Sequence, residues 1–244
     1  MAKGMSIKWN ESLSYCVGLL VSDGNLSKDG RHITFVSKDL SLIKIFKFCL
    51  KLKNKIAFKK SGYNKKGKYY YIQFGSVLLY RWLNNIGINP NKSKTISSLE
   101  VPNRYFFDFV RGLLDGDGCI TSFKHPESRY PQIRIKFTSG SIKFLVWLKD
   151  KIDRILDIKG RIEVLPRAYQ LIYHKCDSIE LLKKIYKKPG VFLKRKLLKA
   201  EYLLGAGGAT GRHARLRTSW QQCLGGSNPL PPMNFCVAKA SPQG

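Results

Sequence analysis

The sequence predicts an α+β fold made of two copies of one αββαββα unit, in which helices and paired strands alternate. Three observations predict it. Segments of the two halves align when the chain is shifted so that Ile33 meets Ile135. A short stretch ending in Asp-Gly recurs at 16–24 and 110–118, and strand-like alternation of apolar and polar residues is present in both halves. We expect the halves at residues 1–99 and 100–204.

The internal repeat is the first of these observations. The aligned segments are 33–37 with 135–139, Ile56 with Ile158, 76–79 with 178–181, and Lys92 and Lys94 with Lys194 and Lys196. Chance could produce any single match, but a constant offset indicates a duplicated domain.

In the first half, Asn10 is expected to cap a helix that runs to about Asp23, where Gly24 stops it. The further elements predicted for this half are strands near 31–37, 55–60 and 68–74 and helices near 40–52 and 77–86. In the second half, Asn103 is expected to cap a helix that ends at Asp117 and Gly118. The further elements predicted there are strands near 119–124, 132–138, 160–165 and 169–174 and helices near 141–156, 178–187 and 192–203. The loop at 125–131 lengthens the first hairpin of the second half.

Alternation along the strands predicts one buried and one polar sheet face. In the strand at 132–138, three apolar residues (Ile133, Ile135, Phe137) alternate with polar ones. The same pattern predicts that Ile56 and Phe58, and likewise Ile162 and Val164, face the core. The opposite face is basic, which suits either a solvated surface or a nucleic-acid surface.

The charge balance favours a polyanionic partner. Lys and Arg number 44 against 16 Asp and Glu, a formal net charge of +28. Such an excess repels itself in a compact chain unless a polyanion offsets it. The basic residues are spread along the chain and no apolar run is long enough to span a bilayer, so nucleic acid is favoured over a membrane surface. The six cysteines form no C-x-x-C pair, which is typical of reduced cysteines in an intracellular protein.

Composition changes after Leu204. Residues 205–244 contain no acidic residue and much of the Gly and Pro, so we expect a disordered tail. The T-arm of a tRNA gene encodes Gly226-Ser227-Asn228-Pro229 in one reading frame, and we hypothesise that the tail is read-through of such a gene. Coding DNA that cannot form a tRNA cloverleaf there would disprove the hypothesis.

The two Asp-Gly stretches carry the chemistry. Gly18 with Ser22, and Gly112 with Gly116, place small residues one turn apart on a helix face, where two backbones can approach closely. If the halves pack through these helices, Asp23 and Asp117 arrive together at one end of the interface. Clustered carboxylates at helix C-termini are unfavourable alone, and a divalent cation such as Mg²⁺ reverses that penalty. The alternative is that each aspartate only caps a turn, which the repetition disfavours.

These stretches resemble the two motifs of single-chain LAGLIDADG homing endonucleases, and the likeness covers roughly residues 8–203. The first motif departs from the pattern at Val21 and Ser22, where the family often has an acid and a small residue. The resemblance implies a pseudo-two-fold fold with motif helices at the interface and antiparallel sheets forming a DNA-binding saddle. It also implies that Asp23 and Asp117 bind metal, with the backbone carbonyls at Ser22 and Gly116 as additional ligands.

Basic residues are needed to offset charge at the reacting phosphate. Lys92 and Lys194 are the catalytic candidates, with their neighbours Lys94 and Lys196 as alternatives; DNA-backbone contact or simple solvation would also explain them. Side chains of the polar sheet face are the candidates for reading bases in the major groove. They are Thr34, Lys59, Tyr71, Gln73, Arg134, Lys136, Arg161 and Gln170.

The expected function is therefore site-specific cleavage of both strands of a long DNA target with Mg²⁺ or Mn²⁺. We expect a monomer with internal pseudo-symmetry, encoded within a mobile intron. An RNA maturase acting on its host intron and a cleavage-inactive DNA-binding protein are the alternatives. The abundance of Lys, Asn, Ile, Tyr and Phe suggests AT-rich coding DNA, which is compatible with an organelle (chloroplast or mitochondrion) or with a prokaryotic cytoplasm.

Overall fold

The computed structural model describes residues 7–60, 68–123, 132–188 and 190–206. The predicted loop at 125–131 and the tail from residue 207 onward lie outside the described residues. Gly205 and Ala206, which were assigned to the tail, instead belong to the last helix.

The elements of the two halves follow the same order. The first half contains α1 (Glu11–Asp23), β1 (Gly24–Leu26), β2 (His32–Ser37), α2 (Leu40–Cys49), β3 (Ala57–Lys60), β4 (Lys68–Gly75), α3 (Val77–Asn85) and the short α4 (Lys92–Thr95). The second half contains a 3-10 turn (Asn103–Tyr105), α5 (Phe106–Gly116), β5 (Cys119–Phe123), β6 (Gln132–Ser139), α6 (Ile142–Leu156), β7 (Arg161–Leu165), β8 (Ala168–His174), α7 (Lys175–Ile185) and α8 (Lys194–Ala206).

Each half builds one four-stranded antiparallel sheet. The strand orders are β1-β2-β4-β3 and β5-β6-β8-β7. Ile33 pairs with Phe74 in the first sheet and Ile135 with Tyr173 in the second, and all four side chains are buried. Alternate residues on these strands face away from the helices. The predicted α+β fold with two related units is confirmed.

The two helix starts show that the halves are not capped alike. Asn10 caps α1 as predicted, since its side chain accepts a hydrogen bond from the Leu13 N–H. The prediction for Asn103 was wrong, because this residue begins the 3-10 turn and Tyr105 precedes α5 without a side-chain cap.

The constant offset between the halves also fails in places. Ser76 caps α3, whereas its predicted partner Ser178 lies inside α7, is buried, and donates to the Tyr173 carbonyl. The two halves have loops and helices of different length, so the offset that aligns β2 with β6 no longer holds at β4 and β8, where Phe74 corresponds to Tyr173.

Two apolar residues predicted to face the core are exposed. Phe58 on β3 and Val164 on β7 are 62% and 76% exposed. Both lie on the outer strand of a sheet, where alternation continues although the helices cover less of the face. Among the described helices, none is long and apolar enough to cross a membrane.

Candidate active site

The central feature of the molecule is the contact between α1 and α5, whose backbones touch at two glycines. A Cβ added to Gly18 would lie 2.8 Å from the Leu113 nitrogen and 2.9 Å from the Gly112 Cα. A Cβ added to Gly112 would lie 3.1 Å from the Gly18 Cα and would also meet the Tyr15 carbonyl. Real Cβ atoms do not tolerate such distances to backbone, so only glycine fits at either position.

The contact continues to the C-terminal ends of both helices. A Cβ on Gly116 would lie 2.8 Å from the Ser22 Cβ, so these residues also meet across the interface. All four small residues proposed from the sequence, Gly18, Ser22, Gly112 and Gly116, thus lie at the contact. Asp23 and Asp117 follow immediately, and the helix ends bring them to the same end of the interface.

A glycine follows each aspartate because the chain folds back over the last helical turn. A Cβ on Gly24 would lie 2.6 Å from the Leu20 Cα, and one on Gly118 would lie 2.5 Å from the Leu114 Cα. Gly24 has a φ of −85°, so close approach, rather than left-handed backbone, requires glycine there. Each strand β1 or β5 therefore begins directly beside its aspartate.

The two carboxylates interact electrostatically. Burial, and next the nearby charge of Asp117, raise the pKa of Asp23 to about 6, although Lys92 and Lys196 act in the opposite direction. Loss of hydration also raises the pKa of Asp117, although its side chain is the more exposed of the two, and the same two lysines oppose that rise. The arrangement gathers negative charge where solvent alone does not fully stabilise it.

A buried lysine flanks each aspartate. Lys92 is 6% exposed and its Nζ donates to the Gly24 carbonyl at 2.7 Å. Lys196 is 7% exposed and its Nζ donates to the Gly118 carbonyl at 2.7 Å, as well as to carbonyls of the last turn of α5. Burial lowers the pKa of both ammonium groups, that of Lys196 to about 8.

The structure therefore pairs Lys92 with Lys196, and not with Lys194. Lys194 is the first residue of α8 and is exposed, as is Lys94 in α4. Lys92 is the first residue of α4, whereas Lys196 is the third residue of α8, so the equivalent lysine is shifted by two positions within the last helix. The sequence offset that fitted β2 and β6 therefore selected the wrong lysine of this pair.

Sequence reasoning missed a buried network behind Asp117. Asp115 is fully buried and accepts hydrogen bonds at 2.7 Å from the Tyr15 hydroxyl of α1 and the Leu193 N–H before α8. This carboxylate therefore links three segments next to Lys196. Asp115 belongs to the second motif, but its partners Tyr15 and Leu193 are distant in sequence and no local pattern indicates them.

The candidate metal ligands, which are the carboxylates of Asp23 and Asp117 and neighbouring backbone carbonyls, are all oxygen atoms. Within the described ranges, no group of three or more His, Cys, Asp or Glu residues is placed to hold a metal. A cavity of about 360 Å³ lies beside the acids and is lined in part by Ser22, Lys92, Asp117 and Gly118. Two carboxylates, neighbouring carbonyls and space for water or phosphate suit Mg²⁺ or Mn²⁺ better than Zn²⁺.

The candidate base-reading residues lie on the open faces of the two sheets. Thr34 pairs with Gln73 on neighbouring strands, and Gln170 donates to the Thr138 hydroxyl at 3.1 Å. Lys59 and Arg161 are exposed on the outer strands, and Arg161 lies 3.8 Å from Glu163. The remaining candidates, Tyr71, Arg134 and Lys136, are half-buried on inner strands. These positions are spread over two surfaces and do not form one cluster.

Comparison with known proteins identifies the fold. No protein-family model matches the sequence, and no curated protein sequence matches it. The structure is similar to the N-terminal LAGLIDADG domain of DUF199/WhiA, with a TM-score of 0.52, 21% identity, and coverage of 78% of this chain and 85% of that chain. It is similar to the meganuclease I-SmaMI bound to uncleaveable DNA, with a TM-score of 0.54, 13% identity, and coverage of 87% and 99%. It is also similar to I-DmoI in complex with DNA and Ca, with a TM-score of 0.52, 16% identity, and coverage of 78% and 97%. The chain therefore has the LAGLIDADG fold in its two-repeat form.

Proposed function

We propose that this chain is a site-specific endonuclease that cuts both strands of duplex DNA with a divalent metal. The observation that carries the proposal is the convergence of Asp23 and Asp117 at one end of the α1–α5 contact, with Lys92 and Lys196 beside them. Structural and helix-capping roles do not require two acids at the same place. One chain supplies both acids, so a monomer suffices.

The residues present fit a divalent metal. Asp23 and Asp117 would hold it, with the carbonyls of Ser22 and Gly116 as further donors. The raised pKa of each carboxyl group indicates that their charges are incompletely stabilised, and a cation at the site offsets that cost. When bound, Mg²⁺ or Mn²⁺ would supply Lewis acidity and an activated water for phosphodiester hydrolysis.

The lysines supply fixed positive charge at the same place. Each Nζ is held on the carbonyl of the glycine that follows an aspartate, so it is positioned before DNA arrives. Fixed charge of this kind stabilises negative charge that develops on a phosphate during cleavage without reorganisation. We assign this role to Lys92 and Lys196.

Duplex DNA is the proposed partner. The net charge of +28 and the polar open faces of both sheets suit a polyanion with readable base edges. I-SmaMI and I-DmoI, which share the fold, are described as DNA complexes, and the latter also holds Ca. The WhiA domain has the same fold but is not described as an endonuclease. The argument for cleavage therefore rests on the two aspartates and two lysines, and not on the likeness of the fold.

The test is cleavage of a plasmid that carries the uninterrupted form of the gene flanking this coding sequence. With Mg²⁺, the chain is expected to linearise the plasmid, and Asp23→Asn or Asp117→Asn should slow this by at least about a hundred-fold. Asp150→Asn, which removes an exposed acid from α6, is the matched control and should cut normally. Equal cleavage by all three variants would disprove the assignment of the acids.

Metal binding has a second readout that needs no cleavage. The folded pKa of Asp23 is raised to about 6, so stability from its protonated form is present at low pH and is lost as pH rises through that value. A cation stabilises only the ionised form of the Asp23 carboxyl group. Mg²⁺ should therefore raise the melting temperature more at pH 7.5 than at pH 5, and Asp23→Asn should remove most of this difference.

RNA binding is the second candidate function, and one observation favours it. A cavity of about 350 Å³ is lined by several basic side chains, among them Arg104, Lys184, Lys187 and Lys188, at the end of α5 that lies away from Asp117. Such a surface suits a second phosphate backbone. Tight binding of the host intron RNA together with no plasmid cleavage would favour a maturase, and tight duplex binding without cleavage would favour a DNA-binding protein.

A further inference from the structure

Arg134 occupies an unusual setting on the open face of the second sheet. Its guanidinium stacks on the ring of Phe123, with 4.1 Å between the guanidinium carbon and the ring centroid. Phe123 belongs to β5 and Arg134 to the neighbouring β6, where Arg134 pairs with Thr121. The stack fixes the plane of a side chain that would otherwise be flexible.

The donors of this guanidinium are not used within the described part of the chain. The Nε atom is buried and has no hydrogen-bond partner, and no described carboxylate forms an ion pair with the group. A guanidinium carries five N–H donors in a planar fork, and burying donors without acceptors is costly. A ligand cannot reach the buried Nε, but the terminal amino groups of the same planar fork would match a ligand that brings two acceptors in one plane.

The position of Arg134 favours a base edge over a phosphate. β6 is an inner strand, between β5 and β8, so Arg134 lies between the outer strands of the open face, opposite the last residue of β8. Contacts to the DNA backbone are expected at the rim of such a face, while its middle faces the groove. Guanine presents two neighbouring acceptors, O6 and N7, to the major groove, and they match the fork of an arginine.

We infer that Arg134 reads one guanine in the half-site contacted by the second half of the chain. The inference rests on the proposed binding of duplex DNA. Thr121 lies four residues after Asp117, and four residues span at most about 13 Å, so the guanine is expected within about four base-pair steps of the metal site.

The first half has no arginine at the matching position. His32 stands at the matching position of β2, and its cross-strand partner is Gly75, where the second half has His174 opposite Arg134. The His32 ring bonds instead to Asp29 in the turn before it. The guanine preference should therefore occur in one half-site only, and the target should not be palindromic there.

The experiment selects duplexes that bind the full-length chain from a randomised library, with Ca²⁺ in place of Mg²⁺ to hold the complexes uncleaved. Binding is then measured on a panel that substitutes each base pair of the recovered consensus singly. Wild type is expected to lose about ten-fold or more in affinity when one particular G·C pair is replaced. Arg134→Gln should abolish that preference at this position and leave the other positions unchanged.

Arg167→Gln is the matched control, because it removes one positive charge from the exposed turn between β7 and β8 of the same sheet. It should keep the guanine preference. Phe123→Leu should reduce the preference while Arg134 is still present, since the guanidinium would lose its platform.

A fixed G·C pair that is lost only in Arg134→Gln and weakened in Phe123→Leu supports the inference. Uniform weakening of all panel members by Arg134→Gln would show a phosphate contact, and a consensus without such a G·C pair would show no guanine reader. Both results overturn the inference and leave DNA binding intact. Failure to recover any duplex would overturn the proposed function, and this inference with it.

Discussion

The two halves are nearly equivalent where α1 meets α5 and differ directly behind that contact. Gly18 and Gly112 make reciprocal backbone contacts. Directly before each glycine and three residues after it, the first half has the apolar Val17 and Val21, where the second half has Arg111 and Asp115.

These two polar residues tie α5 to the segment that leads into α8. The Arg111 guanidinium donates to the carbonyls of Val191 and Ile185, each at 2.9 Å, and Asp115 accepts from the Leu193 N–H at 2.7 Å. Lys196 follows this segment and is held by several carbonyls, whereas Lys92 donates to the carbonyl of Gly24 alone among the described residues.

The difference shows which part of a duplicated fold can change. Backbone contact between the motif helices allows no side chain on either copy, so both copies keep glycine. The polar contacts behind α5 mostly join segments of the second half, and the first half has apolar residues at the equivalent positions. The acids and the glycines after them remain alike while their supports differ.

The largest expected effect concerns the shared contact. Gly18→Ala and Gly112→Ala should each lower the free energy of unfolding by about 3 kcal/mol, because each added Cβ meets backbone of the other helix. Gly75→Ala is the control: its Cβ would meet only the flexible Arg31 side chain, so a change within about 1 kcal/mol is expected. Urea unfolding followed by circular dichroism measures all three.

The two glycine variants should be similar in cost. A large effect at one position and none at the other would mean that one helix adapts to the added Cβ and the other does not, and the equivalence of the halves at this contact would be rejected.

The second prediction concerns the lysines, where the halves should differ. Lys196→Met should lower the free energy of unfolding by about 2–4 kcal/mol, because it leaves several carbonyls at the end of α5 without a donor. Lys92→Met removes one such hydrogen bond and should cost about 1 kcal/mol. Methionine keeps the aliphatic volume in both cases. Equal costs would contradict the unequal support that the structure gives the two lysines.

Much of this fold could be predicted from the sequence because its signals are local. The alternation of Ile133, Ile135 and Phe137 located β6, and Asn10 located the start of α1. The repeated Asp-Gly stretches indicated the helix contact, since small residues one turn apart on a buried helix favour the close approach of a second backbone.

Other parts depend on contacts that no local pattern encodes. The choice of Lys196 over Lys194 depends on which residue of α8 faces the Gly118 carbonyl, and Asp115 finds its partners in Tyr15 and Leu193 across the fold. The stacking of Arg134 on Phe123 requires the register of β5 against β6. Phe58 and Val164 fit the alternation, but alternation cannot show where the helices stop covering the sheet.

The smallest effect tests whether the remaining difference at the contact, Ser22 opposite Gly116, is interchangeable between the halves. Gly116→Ser alone should cost about 2 kcal/mol, because its Cβ would lie 2.8 Å from the Ser22 Cβ. Ser22→Gly alone should cost about 1 kcal/mol, because glycine is less favourable inside a helix and the Ser22 hydroxyl loses its bond to the Leu19 carbonyl. The double variant removes the clash and should fall within about 1 kcal/mol of wild type, a coupling that a double-mutant cycle of urea unfolding measures. If the two single costs simply add, the two residues do not compete for one space. Ser22 and Gly116 would then not be interchangeable, and the halves would differ in the helix contact as well as behind it.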